Sequence, residues 1–78
     1  MNFGEALEAL KQGNRVARKG WNGKGMWIAK VTDCEIPYRG IGLVRLNPFF
    51  VIKNVNETMS TWVPSVNDCH ADDWMIVE

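Results

Sequence analysis

Eight consecutive residues, Arg18-Lys19-Gly20-Trp21-Asn22-Gly23-Lys24-Gly25, put three cations, three glycines and one indole in a single stretch. Backbone N–H groups beside glycines and cationic side chains suit a phosphate, and an indole suits a base. The plain alternative is a tight turn whose Trp21 packs into the core. A second candidate group is Trp62, Ser65 and Asp68. Trp62 ends a polar run, Thr58, Ser60 and Thr61, and either stacks on a base or fills the core. Ser65 and Asp68 have the spacing of a helix N-cap and its N3 partner, a role compatible with ligand contact.

Chemistry beyond binding finds few residues. His70, the only histidine, adjoins Cys69, but a Cys–His nucleophilic pair must meet across the fold rather than along the chain. Cys34, Cys69 and His70 fall short of a zinc ligand set without a distant carboxylate. Asp68, Asp72 and Asp73 lack the alternating ligands and glycine of a calcium loop. No catalytic residue, metal or cofactor is expected.

The elements that position these groups are legible from periodicity. Phe3, Ala6, Leu7 and Leu10 follow the spacing of one helix face, Asn2 and Glu5 form a capping-box pair, and Gly13 closes the helix, so residues 3–12 should be helical. Residues 15–18 and 26–31 read as strands. The second is apolar on both faces apart from Lys30, which calls for two covers, and Trp27 within it is expected in the core. Residues 32–40, with Asp33, Pro37 and Gly40, read as a loop before a further strand at 41–46. Residues 49–53 and 58–63 form a hairpin, a helical turn follows Ser65, and residues 74–77 close the sheet with Trp74 over the helix. The expected fold is α+β: an N-terminal helix on a mostly antiparallel sheet of about five strands, with a short late helical turn.

At 78 residues the chain makes one domain, 1–78, with a thin core, which makes self-association plausible. No apolar run approaches a membrane span and the N-terminus lacks a secretory pattern, so a cytoplasmic location is expected. Net charge is zero, yet all nine Lys and Arg lie between Lys11 and Lys53, while residues 54–78 hold five acids and no base. The basic half suits anions, although scattered Lys and Arg are more simply a solvated surface, and the acidic half argues against a long nucleic-acid polymer.

Asn2-Phe3-Gly4-Glu5-Ala6-Leu7-Glu8-Ala9-Leu10-Lys11 and Val16-Ala17-Arg18-Lys19-Gly20-Trp21-Asn22-Gly23-Lys24-Gly25-Met26 resemble the start of the Thoeris anti-defence 2 family of phage and prophage proteins. Pro48-Phe49-Phe50 with Lys53, then Trp62, Ser65, Asp68, Ala71, Asp73 and Trp74, resemble its second half. Residues 32–47 stand outside the resemblance, as a longer connection than the family's usual one. The resemblance implies a sponge that binds a cyclic ADP-ribose isomer made by a TIR-domain immune enzyme, or a cyclic dinucleotide, without cleaving it, in the cytoplasm of the bacterial host. It implies a homotetramer with ligand between subunits, lined by Arg18, Trp21, Asn22, Trp62, Ser65 and Asp68, with Phe3 and Asn2 as lesser additions. The alternatives are a small protein-binding or structural phage module and a nucleotide hydrolase.

Overall fold

The structure, a computed structural model, describes residues 1–21 and 25–78. Helix α1 spans Phe3–Lys11. Its start is the expected capping box: the Asn2 side chain accepts from the Glu5 N–H at 2.8 Å, and the Glu5 carboxylate accepts from the Asn2 N–H at 3.0 Å. Two of the N–H groups that every helix start leaves free are thereby satisfied. At the far end Gly13 adopts φ +91° and its N–H bonds Leu10 O, a left-handed exit that glycine adopts without steric cost. Ala6, Ala9 and Leu10 form the buried stripe of α1, the face that the apolar spacing marks out.

Among the described residues seven strands follow: β1 Arg15–Arg18, β2 Trp27–Val31, β3 Glu35–Tyr38, β4 Gly42–Arg45, β5 Phe49–Lys53, β6 Met59–Trp62 and β7 Trp74–Val77. A second helix, α2 (Val66–His70), lies between β6 and β7. Five of the strands make one antiparallel sheet in the order β6-β5-β2-β1-β7. The fold is α+β, with an N-terminal helix, a five-stranded antiparallel sheet and a short late helix.

Register divides the side chains between two faces, because residues directly opposite one another in a sheet point the same way. Val16 pairs with Ile28 and Ile76, Ile28 with Ile52, Arg18 with Trp74, and Phe50 with Trp62. These residues share the face under α1, and Val16, Ile28 and Trp74 join Ala6, Ala9 and Leu10 in the core. The other face carries Arg15, Ala17, Trp27, Ala29, Val51, Thr61, Met75 and Val77. Trp27 is therefore not a core residue, as the apolar character of its strand suggests; Ile28 takes the helix face and strand alternation turns Trp27 away from it. It is half-buried beneath the Arg15 guanidinium, whose carbon lies 5.1 Å from the ring centroid.

The segment expected as a loop, residues 32–40, contains β3, which pairs with β4 in a separate two-stranded sheet. Pro37 obscures that strand in the sequence. A residue without an N–H is tolerated there because β3 has a neighbour on one side only. The turn joining the strands is closed by the Ile41 N–H donating to Tyr38 O at 3.0 Å. This arm leaves the molecule elongated, with extents of 45 × 26 × 25 Å.

Candidate ligand-binding site

Trp74 is the fixed point of the site. It is 1% exposed, and its indole N–H donates to Asp68 O at 3.0 Å, which ties β7 to α2. Around it gather Phe3 at 5.5 Å, Trp21 at 5.6 Å and Trp62 at 6.1 Å between ring centroids. Phe3 and Trp62 also face one another at 6.4 Å, and Phe50 backs Trp62 at 6.1 Å. Tilted and edge-to-face contacts of this kind add stability beyond area burial, since positive ring edges meet negative faces. Phe3, Trp21 and Trp62 are all half-buried, held on one side by the cluster while the other side reaches solvent.

Arg18 ends β1 beside this cluster and is gripped by two carboxylates. Its Nε donates to Asp73 at 2.9 Å and its Nη1 to Asp68 at 3.0 Å. Asp73 also accepts the Gly20 N–H at 2.9 Å, so one carboxylate holds both ends of the turn after β1. A side chain at Gly20 would place its Cβ 3.0 Å from that carboxylate, which explains the glycine. The hydrogen bonds that Arg18 donates to Asp73 and then to Asp68 raise its pKa above the ordinary value. The bond from Arg18 and the Gly20 N–H hold the Asp73 carboxyl below the usual carboxylate range against a smaller opposing effect of burial. For Asp68, burial is the largest influence and pushes upward, but hydrogen bonds involving Ser65 and Arg18 together outweigh it and the net shift is downward.

Ser65 and Asp68 form the capping box of α2. The Asp68 N–H donates to Ser65 Oγ at 3.1 Å, and the Ser65 N–H donates to the second Asp68 carboxylate oxygen at 2.9 Å. Both Asp68 oxygens thus have protein partners, and the residue is only 9% exposed. Asn2 likewise spends its side-chain oxygen on the cap of α1. Of the eight residues singled out from sequence, the structure links Phe3, Arg18, Trp21, Trp62, Ser65 and Asp68 around Trp74 through ring contacts, a cap and an ion pair, while the Asn2 side chain bonds within the cap of α1. Asn22 lies outside the described residues.

A cavity of about 400 Å³ opens beside this group, on the face of the sheet that α1 leaves uncovered. Its walls include Arg18, Lys19, Trp21, Met26, Trp27 and Met75. The volume falls within the roughly 300–1,000 Å³ of small-molecule sites. Among the described residues, Arg18 and Trp21 belong to both the cavity and the set named from sequence. Trp27, Met26 and Met75 were missed because an apolar strand residue looks like core. The signal that finds Trp27 and Met75 is period two: once Ile28 takes the helix face, Trp27 and its neighbours on the paired strands line the other, whereas Met26 precedes β2 and reaches the cavity from outside the strand. Among the described residues Lys19 makes no ion pair, so it brings to the cavity a charge that Arg18, already matched by two carboxylates, does not.

His70 is exposed and its Nδ1 lies 2.9 Å from Val66 O of its own helix, while Cys69 is exposed on the same short turn. No helix among the described residues is long and apolar enough to cross a membrane.

Residues 1–77 match the family model of the Thoeris anti-defense 2-like domain, Tad2-like. The chain is also 44% identical over 84 residues to Thoeris anti-defense 2 of Bacillus phage SP01, a match covering 99% of this chain and 94% of that protein. The family match runs through residues 32–47, so the arm lies within the family's domain and not outside it. The match to the phage protein is longer than the present chain, so within it the relative carries the additional residues. By extent and identity together, the chain belongs to the Thoeris anti-defense 2 family.

Proposed function

We propose that this anti-defence protein captures a cyclic nucleotide immune signal, a cyclic ADP-ribose isomer or a cyclic dinucleotide, and withholds it uncleaved from its effector in the host cytoplasm. The observation that carries the reading is the cavity of about 400 Å³ walled by two indoles, Trp21 and Trp27, with Lys19 at its edge. Indole faces stack on purine bases and a lysine meets a pyrophosphate, the two chemistries that a cyclic nucleotide presents. Trp62, held at one edge by the Phe3–Trp74 cluster, is a second stacking surface. Arg18 and Asp68 act by holding the turn that carries Trp21 and the helix beside Trp62. The ligand sits between subunits of a homo-oligomer, a tetramer by family resemblance, which completes walls that one thin domain leaves open.

Sequestration and hydrolysis are separated by recovering the ligand. Protein mixed with a cyclic ADP-ribose isomer and then denatured returns the intact compound; recovery of a linear product assigns a hydrolase instead. Trp21→Ala and Trp62→Ala each weaken binding by about 1–3 kcal/mol, the range of base stacking on an aromatic side chain. Calorimetry with the cyclic nucleotide checks this, and far-UV circular dichroism checks that the fold persists. No heat with any cyclic nucleotide favours the protein-binding module.

A further inference from the structure

Lys53 ends β5 directly opposite Trp27 in the sheet register, so the two side chains leave on the same face, the one turned away from α1. Lysines ordinarily run out into water. This one is 19% exposed, and its ammonium donates to Gly25 O at 3.2 Å and to the Glu57 carboxylate at 3.2 Å. Gly25, with Met26 and Trp27 directly after it, belongs to the cavity wall. On the other side of the cavity, the Gly20 N–H is bonded to Asp73 just before Trp21. The two indole-bearing walls are therefore tied at different places, one to the residue before β7 and the other to the last residue of β5.

Glu57 reaches Lys53 from the turn between β5 and β6. The Glu57 N–H donates to Asn54 O at 3.2 Å, the Asn54 N–H donates to Thr58 O at 2.8 Å, and Glu57 itself adopts φ +66°. Glycine fills such a left-handed hairpin position without strain, whereas a residue with a Cβ does so at a cost in stability. The ion pair returns little of that cost, because the Glu57 side chain is 78% exposed and exposed pairs are weak. Stability does not account for a glutamate here. Its contact does, since the carboxylate holds the ammonium against the Gly25 carbonyl.

We infer that Lys53 is a positioning residue of the binding cavity and that Glu57 orients it. Neither belongs to the wall among the described residues. Together they fix the Gly25 carbonyl and so place Met26 and Trp27 relative to Trp21. The inference rests on the proposed capture of a cyclic nucleotide and names the residues that set the spacing of its two stacking indoles.

Calorimetry with a cyclic ADP-ribose isomer, together with hydrogen exchange of the ligand-free full chain, tests it. Lys53→Met keeps the apolar stem and loses the ammonium. Its affinity is expected to fall about tenfold, the size of one lost hydrogen bond to a charged group, and its Met26 and Trp27 amides to exchange faster. Lys53→Arg, which can still donate to both partners, recovers most of the affinity. Glu57→Gly weakens binding while keeping or raising the melting temperature, a pair of effects that a purely stabilising contact does not produce. The control Lys11→Met removes an exposed ion pair with Glu8 on α1 and keeps the affinity. Unchanged affinity or unchanged exchange in Lys53→Met overturns the inference, as does a joint fall of affinity and melting temperature that arginine does not rescue. An unaltered chain that binds no cyclic nucleotide removes the sequestration reading; faster exchange at Met26 and Trp27 in Lys53→Met then still supports the positioning role, and unchanged exchange overturns it.

Discussion

At the scale of single residues, the ion-paired triad of Arg18, Asp68 and Asp73 explains more of the site than any ring does. A cation next to a glycine-rich turn suggests a phosphate ligand, but here the guanidinium is already shared by two carboxylates. Its work is to fasten the turn after β1 to the segment between α2 and β7, which sets where Trp21 emerges. The triad has a pH signature. Both aspartates have folded-state pKa values below their unfolded value of about 4, so the stability they contribute is complete above that pH and is lost as pH falls through the lower folded values. Melting temperature, followed by calorimetry from about pH 6 to about pH 2, is therefore expected to drop on the acid side. Asp73→Asn, which cannot ionise, is expected to show a shallower drop from a lower starting point.

At the scale of elements, α2 is the most fragile part of the frame. Helices shorter than about 12 residues are marginal in isolation, and α2 has five, held by the Ser65–Asp68 box and the Trp74 indole bond. Ser65→Ala removes the hydroxyl that receives the Asp68 N–H, and the expected loss is about 0.5–2 kcal/mol of unfolding free energy, read from urea denaturation. Because Asp68 also anchors Arg18, the loss should extend to ligand affinity even though Ser65 itself is engaged in capping. The β3–β4 arm is the opposite case, an element with regular pairing and nothing beneath it.

At the scale of the whole molecule, one helix and one sheet face make a core of few fully buried side chains, with Trp74, Leu10, Ile28 and Val16 the largest. A domain of this size buries only about 60% of the surface that its unfolded chain exposes, which leaves a small margin over conformational entropy. The proposed homo-oligomer would add to that margin by mass action, since a partner that binds only the folded chain shifts the equilibrium toward it. The melting temperature is accordingly expected to rise with protein concentration over a hundredfold range. A concentration-independent value at constant scan rate would mean that the monomer is stable alone.

The sequence by itself determined what depends on near neighbours. The spacing of Phe3, Ala6, Leu7 and Leu10, the two capping boxes, the exit at Gly13 and the short segments of β1, β5, β6 and β7 set off by turn residues are local patterns, and the helices and sheet follow them. Tertiary structure decided what depends on partners distant along the chain. Asp73 lies 55 residues from Arg18 and becomes its closest acceptor, so a residue that looks ready for a ligand is neutralised by its own protein. Trp27 and Ile28 are both apolar, and only the position of α1 determines which of them is core. Pro37 hides a strand because the rule that excludes proline assumes neighbours on both sides, and β3 has one. The residue types of the cavity wall were legible; which face they occupy was not, because facing is a property of the assembled sheet.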